Sequence, residues 1–295
     1  LFYQSKLRGN QLTKERMNAM KVLLEEEQMT LVTTFDGLMN RLIRPEKLER
    51  FILQLSLGEE LILTDFTKQL VAMGYEKNYQ AEAGGQFAVR GGIIDIYPLT
   101  EENPYRIELW GDEIDSIRSF SAESQRSLEN LETVKIYPAA EIIFEEAVLE
   151  KGLKKIEADA KKLSELYQKE MKTEEAHRVR MLASTAKESI EQFGSVEGMD
   201  AYLTYFEEET VSLLDYFSKE DALVFLDEPV RAIEKGRVIE KEFQESMKQR
   251  LEKGYILPGQ MDSLYSYEEI AARLAAHKVI GLAALEMKEK ALPVK

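Results

Sequence analysis

Two adjacent carboxylates, Asp227 and Glu228, follow an apolar run at 222–226 that is typical of a strand. In a nucleotide-hydrolysing domain, acids at the carboxyl end of a strand hold Mg²⁺ and orient water. That chemistry also needs a Gly-x-x-x-x-Gly-Lys-Ser/Thr loop to cradle the phosphates. The sequence contains no such loop, and Gly91-Gly92 is not followed by Lys-Ser/Thr. Because acids at strand ends are also common without any function, we expect no ATP hydrolysis by this chain.

Other catalytic or metal-binding groupings are also missing from the sequence. The chain has two histidines, His177 and His277, and no cysteine. The histidines lie 100 residues apart on sequence with helical character, and no constellation of carboxylates accompanies either one. No Ser/His/Asp grouping is available for nucleophilic catalysis. The sequence therefore indicates a binding module without a catalytic residue, a metal site or a bound cofactor.

Three side chains on two predicted strands are the candidates for binding: Arg90, Arg106 and Trp110. Successive residues of a strand point to opposite faces, so Arg106, Glu108 and Trp110 share the polar face of the second strand. Trp and Arg are enriched among the residues that anchor protein interfaces. Two interpretations remain open. Either the three side chains form a protein-binding patch, or Trp110 caps the edge of a core while Arg106 only pairs with Glu108.

Length and composition limit the class of protein. At 295 residues, with 44% hydrophobic and 32% charged residues, the chain can hold two soluble domains. The net charge of −15 disfavours general binding to a phosphate backbone. We find neither a signal peptide nor a run of the ~18 apolar residues that a membrane-spanning helix needs. The lack of cysteine fits a cytoplasmic protein. Because the first residue is not Met, we expect a piece of a longer protein.

The first segment of the chain alternates helix and strand. The predicted elements are a helix at 12–27, a strand at 29–33, a helix from Asp36 to before Pro45, and a strand at 51–55. This rhythm is typical of a parallel α/β layer. Residues 1–57 are therefore predicted to be the first part of an α/β domain.

Residues 58–138 change in character. A helix at 65–73, with Asp65 as N-cap and Gly74 after its end, precedes short strands and tight turns. The predicted strands lie at 87–90, 93–97, 105–110, 113–120 and 133–137. Short strands at close spacing predict an antiparallel sheet, with one face covered by the helix. We interpret this segment as a small α+β insert.

Residues 139–295 return to the helix–strand rhythm. The predicted elements are Lys/Glu-rich helices within 140–192, a central strand ending at Asp227, a helix at 229–253, a helix at 266–277 and a strand at 279–285. Ser266 and Glu269 form a capping box at the start of the second-last element. The simplest topology is one α/β domain, formed by 1–57 and 139–295, that is interrupted by the insert.

Two long motifs closely resemble the bacterial transcription-repair coupling factors, in the N-terminal module that these proteins share with the excision-repair protein UvrB. The motifs are GQFAVRGGIIDIYP at 85–98 and YRIELWGDEIDSIR at 105–118. Supporting matches occur at 124–128, 136–141 and 212–216. The resemblance covers most of the chain and weakens in 145–195 and at the C-terminus. Within the supporting match at 124–128, Gln125-Arg126-Ser127 favours the coupling factors over UvrB.

The resemblance implies a fold and a partner. The α/β part would be a degenerate, N-terminally truncated RecA-like domain, with Asp227-Glu228 as a relic of its acidic motif. The insert would recruit UvrA through Arg90, Arg106 and Trp110. The family has two aromatic residues where this chain has Leu109-Trp110, so Trp110 keeps the aromatic contact.

The resemblance also implies a larger context. The C-terminal domain of the parent protein would mask the UvrA-binding surface until the parent engages stalled RNA polymerase. The parent would be an ATP-dependent DNA translocase, and its contacts with RNA polymerase, DNA, ATP and Mg²⁺ would lie in other domains. Two alternatives to UvrA recruitment stay open: a UvrB-like ATPase that loads onto damaged DNA, and an autoinhibitory clamp that only holds the parent closed.

Overall fold

The computed structural model describes residues 10–26, 28–196 and 198–284. Within them, a β-rich part lies between two stretches of mostly helical chain. The N-terminal stretch contains α1 (Asn10–Glu25), α2 (Phe35–Met39) and α3 (Pro45–Glu49). Thr34 caps α2, and Pro45 takes the first position of α3, where its missing N–H removes no helical hydrogen bond. The helix predicted at 12–27 is confirmed as α1. The helix predicted from Asp36 to before Pro45 is shorter, because α2 ends at Met39, and the next helix, α3, begins at Pro45.

The predicted strand at 29–33 is wrong. These residues form neither helix nor strand, and Val32 is 90% exposed. An apolar run becomes a strand only when another strand lies beside it to pair with its backbone. Among the described residues, no strand pairs with this segment.

A mixed sheet forms the β-rich part, and within the described residues its strand order is β2-β3-β4-β5-β6-β7. The strands are β2 (Glu76–Lys77), β3 (Gln86–Arg90), β4 (Ile93–Tyr97), β5 (Tyr105–Trp110), β6 (Glu113–Phe120) and β7 (Ser127–Leu131). All neighbours are antiparallel except β2 and β3. The helix α4 (Leu63–Ala72) buries Phe66 and Leu70 in the same apolar cluster as the sheet. The predicted α+β arrangement is confirmed, but the sheet is not purely antiparallel, and Asp65 is not the N-cap, because α4 begins at Leu63 with Ile62 in that position. Two edge strands, β2 and β7, were not predicted.

A second pair of strands connects the segment that precedes α4 to the β-rich part. Strand β1 (Leu53–Ser56) is antiparallel to β8 (Thr133–Ile136), and Leu55 and Val134 are partners in register. The strand predicted at 51–55 therefore exists, but its assignment to a parallel layer is wrong. A short apolar run does not reveal its partner, and here Val134 lies 79 residues after Leu55 in the chain. The domain boundaries at 57/58 and 138/139 remain predictions.

The Lys/Glu-rich segment forms two long helices, as predicted. They are α5 (Glu146–Lys169) and α6 (Thr173–Phe193), and α7 (Met199–Phe206) packs against α5. Their apolar residues share one core cluster, while the charged residues face solvent. Gly152 of α5 allows a close approach of Phe206, because a Cβ at Gly152 would lie 2.0 Å from that ring.

The C-terminal stretch contains a parallel strand pair. Strand β9 (Leu223–Asp227) pairs with β10 (Lys278–Leu282), and the connection contains α8 (Pro229–Glu252) and α9 (Tyr267–Ala275). The capping box of Ser266 and Glu269 is confirmed. The prediction of a buried central strand is wrong, because Phe225 of β9 is 59% exposed. Within the described residues, β9 has one neighbouring strand and an uncovered face. The fold is thus mixed α/β, with an antiparallel-rich sheet inserted in the chain.

Candidate functional site

Two tight turns place Arg90 and Trp110 at one end of the sheet. Gly91-Gly92 joins β3 to β4, and Gly111 opens the turn between β5 and β6. Gly91 has φ of 63° and Gly111 has φ of 65°, a region that residues with a Cβ rarely adopt. The Leu109 N–H donates to the Gly92 carbonyl at 2.8 Å, which sets the two turns side by side. Arg90, the last residue of β3, and Trp110, the last residue of β5, therefore lie at the same end of the sheet, on either side of β4.

The two faces of this sheet differ in chemistry. On one face, Phe87, Ile94 and Ile107 are completely buried against α4 and its neighbours. The opposite face carries the alternate residues of the same strands, which include Arg90 on β3 and Arg106 and Trp110 on β5. The predicted sharing of a face by the two arginines and the tryptophan is consistent with this register.

Asp95 of β4 brings the two arginines together. Its carboxylate is 1% exposed and lies opposite Arg106 in the β4–β5 register. Arg106 donates from Nε to Oδ1 at 2.6 Å and from Nη2 to Oδ2 at 2.9 Å. Arg90 donates from Nη2 to the same Oδ2 at 2.5 Å. A single buried carboxylate therefore binds two guanidinium groups from the strands on either side of it.

Arg106 is further held by its surroundings. Its Nη2 also donates to Gln125 Oε1 at 3.1 Å, and its guanidinium carbon lies 4.3 Å from the centroid of the Phe120 ring. The hydrogen bonds with Asp95 raise the pKa of Arg106 and outweigh the effect of its partial burial. With 14% of its side chain exposed, Arg106 is a fixed cation.

Trp110, unlike Arg106, is largely exposed to solvent. Its side chain is 82% exposed at the end of β5. The interpretation that Trp110 caps the edge of a core is therefore wrong. Arg106 forms its hydrogen bonds with Asp95 and Gln125 and not with Glu108, which binds Arg118 and accepts from Ser116 at 3.1 Å.

Sequence reasoning missed Asp95 and Gln125. Asp95 is a lone carboxylate within the apolar strand Ile93–Tyr97, and a carboxylate buried there requires a cationic partner. That signal could have identified Asp95 as a paired residue. Gln125 adopts a left-handed backbone, with φ of 59°, in the loop between β6 and β7. Nothing local in the sequence shows that this loop folds back onto Arg106.

The other candidates from the sequence lie elsewhere. Asp227 is exposed at the end of β9, and Glu228 occupies the N-cap position of α8 and accepts from the Ala284 N–H at 3.1 Å. His177 is exposed on α6, and His277 contacts the Arg273 carbonyl through Nδ1 at 3.0 Å. In the described part of the chain, no group of three or more His, Asp or Glu side chains is arranged to hold a metal ion. None of its helices combines the length and apolarity needed to cross a membrane.

The β-rich part is similar to a known domain family. Residues 53–142 match the UvrB interaction domain family, and this range contains Arg90, Asp95, Arg106 and Trp110. The chain is 34% identical over 266 residues to the transcription-repair-coupling factor of Bacillus subtilis (strain 168), covering 89% of this chain and 22% of that protein. It is 30% identical over 280 residues to the corresponding factor of Staphylococcus haemolyticus, covering 91% and 22%.

UvrB proteins are also similar to this chain. The UvrABC system protein B of Thermosipho africanus is 31% identical over 257 residues, which cover 85% of this chain and 39% of that protein. The chain thus spans about a fifth of the coupling factors and two fifths of UvrB. The resemblance predicted from the two motifs is confirmed.

Proposed function

We propose that the chain is a non-catalytic module that recruits UvrA in nucleotide excision repair, because residues 53–142 match the UvrB interaction domain family. Its relatives include both transcription-repair-coupling factors and UvrB proteins. As part of a transcription-repair-coupling factor, the chain would bring UvrA to RNA polymerase that has stalled at a DNA lesion. Arg90, Arg106 and Trp110 form the contact surface, which we call the arginine–tryptophan surface.

The main observation behind this proposal is that the arginine–tryptophan surface holds two guanidinium groups in place with hydrogen-bond donors that remain unused. Among the described residues, Arg90 Nε and Nη1 and Arg106 Nη1 form no hydrogen bond. Arg90 is 37% exposed, and the indole of Trp110 lies free at the same end of the sheet. Planar guanidinium groups bind carboxylates in a bidentate manner, and an exposed indole supplies apolar area with little rotamer entropy to lose. The partner surface should therefore combine an acidic side chain with an apolar pocket.

The remaining parts of the proposal concern the longer context of the chain. We interpret the pair β9–β10 with α8 and α9 as part of a degenerate RecA-like domain in which Asp227 and Glu228 are relics. In this proposal the motor that uses ATP and Mg²⁺, and the contacts with RNA polymerase and DNA, lie in other domains of a longer cytoplasmic protein. A C-terminal domain of that protein masks the arginine–tryptophan surface until RNA polymerase is engaged.

Calorimetric titration of the chain with purified UvrA tests the recruitment role. Arg90→Ala and Arg106→Ala should each weaken binding about tenfold or more, which corresponds to about 1.4 kcal/mol. Arg231→Ala is the matched control, because Arg231 is an exposed arginine on α8 outside the surface. Circular dichroism checks that each variant is folded. Wild-type affinity in both surface variants would contradict the site.

A parallel titration with Mg²⁺-ATP separates this proposal from a UvrB-like ATPase. The recruiter should show no heat of nucleotide binding, whereas saturable binding would favour the ATPase. A pull-down with UvrA separates it from an autoinhibitory clamp, which would retain a C-terminal domain of the parent but not UvrA.

A further inference from the structure

The buried carboxylate of Asp95 joins two side chains that belong to different strands. It accepts from Arg90 on β3 and from Arg106 on β5, and at 1% exposure it has no surface to offer a partner protein. Gln125, from the loop after β6, accepts a third hydrogen bond from the Arg106 guanidinium. Neither residue is part of the arginine–tryptophan surface itself.

We propose that Asp95 and Gln125 are positioning residues that hold Arg90 and Arg106 in one fixed arrangement before UvrA binds. This inference rests on the proposed function and deepens it, because it makes the two arginines a single binding unit. Arginine side chains are long and lose much rotamer freedom when a partner immobilises them. A surface whose arginines are already ordered avoids most of that loss on binding.

The hydrogen-bond geometry determines which donors remain for a partner. Asp95 binds Arg106 side-on through Nε and Nη2, which form one edge of the planar guanidinium group. Nη1 therefore lies on the edge turned away from Asp95. Because Oδ2 also accepts from Arg90, the two guanidinium groups are tied to a common atom and cannot reorient independently.

Gln125 is itself fixed in the orientation that this role requires. Its backbone N–H donates to the Ser121 carbonyl at 2.8 Å, and its Nε2 donates to the Ala122 carbonyl at 2.7 Å. With Nε2 engaged in this way, Oε1 is the atom turned toward Arg106. Gln125 holds this position at φ of 59°, a conformation that asparagine tolerates better than most residues. Gln125→Asn therefore keeps the backbone and shortens only the side chain.

Affinity for UvrA and the side-chain NMR signals of the free chain together test this inference. Asp95→Asn should weaken binding about tenfold, and Gln125→Asn should weaken it several-fold, although neither residue reaches the partner. In the unbound wild-type chain, the Nε–Hε signal of Arg106 should exchange slowly with water, and Asp95→Asn should abolish that protection. Asp115→Asn removes one exposed carboxylate from the same sheet and should change neither the affinity nor the signal.

A coupling measurement distinguishes positioning from a general structural role. In a chain that already carries Arg90→Ala and Arg106→Ala, Asp95→Asn should cause no further loss of affinity. If the arginine variants weaken binding but Asp95→Asn and Gln125→Asn bind like wild type, the positioning role is wrong and the recruitment role stands. If the arginine variants bind normally, the assignment of the arginine–tryptophan surface fails, and if the wild-type chain does not bind UvrA, the recruitment role itself fails. Should Asp95→Asn not fold, Gln125→Asn decides the question, and wild-type affinity with a protected Arg106 signal would overturn the inference.

Discussion

The guanidinium group of Arg106 lies 4.3 Å above the ring of Phe120, a side chain that is completely buried. Arg106 thus covers the buried Phe120 ring with the face of its guanidinium group, while Nη1, at the edge of that group, forms no hydrogen bond among the described residues. Its removal is expected to affect both packing and partner binding, because a cation over an aromatic ring contributes about 0.5–2 kcal/mol. Trp110 has no such double role, so substitutions there report on binding more directly.

Trp110→Ala should weaken UvrA binding by about 2 kcal/mol, or roughly thirtyfold, and leave the free energy of unfolding within about 0.5 kcal/mol of wild type. The reason is that the indole is 82% exposed and lies at the end of β5. Titration calorimetry and urea unfolding measure the two quantities. Tyr79→Ala is the matched control, since Tyr79 is an 85% exposed aromatic residue of the same sheet region and should not affect binding. Equal losses of UvrA affinity in both variants would show that the effect is not specific to Trp110, and would contradict its assignment to the site.

Gly152→Ala should destabilise the chain by about 1–3 kcal/mol, because the added Cβ would lie 2.0 Å from Cδ1 of the buried Phe206. Helix propensity alone predicts the opposite sign, a gain of about 1 kcal/mol for alanine within a helix. The sign of the change in unfolding free energy in urea therefore decides between packing and propensity. Lys154→Ala, at an exposed position of the same helix, should stay within about 0.5 kcal/mol of wild type. A stabilised Gly152→Ala chain would mean that α5 and α7 do not approach as described.

Tyr75→Phe should reduce the loss of stability at alkaline pH. Burial, followed by the nearby Glu101 and Tyr105, raises the pKa of Tyr75 above its ordinary value of 10.0. As the pH rises above that value, the unfolded chain loses the phenol proton while the folded chain keeps it. The folded state then binds more protons, so its stability falls by up to about 1.4 kcal/mol per pH unit.

The test is the difference in unfolding free energy between wild type and Tyr75→Phe from pH 8 to pH 11. At pH 8 the variant should be less stable by about 1 kcal/mol, because Tyr75 donates to the Tyr137 carbonyl at 2.6 Å. Above pH 10 that difference should shrink. Ser164→Ala removes buried hydrogen bonds that involve no tyrosine, since Ser164 donates to the Ala176 carbonyl at 3.2 Å and accepts from Arg180 Nη1 at 2.9 Å. Its difference from wild type should stay constant, and parallel curves for both variants would contradict the role of Tyr75.

The sequence alone predicted the four inner strands of the insert sheet, β3 to β6, and the common face of Arg90, Arg106 and Trp110. This was possible because the two-residue period of a strand is a property of the local backbone, and because Gly91-Gly92 and Gly111 mark their turns. The capping box of Ser266 was equally local. Each of these features depends on residues within a few positions of one another.

Only the tertiary structure decided which partners those residues have. The pairing of β1 with β8, the open segment at 29–33 and the exposed face of β9 all depend on which strand lies alongside, and periodicity carries no such information. The same holds at the site. Asp95 meets Arg106 through the β4–β5 register, and Gln125 reaches it through a loop after β6. The face of a side chain follows from its place in the strand, but its ion-pair partner follows from strand order and register, which are set by the packing of the whole sheet.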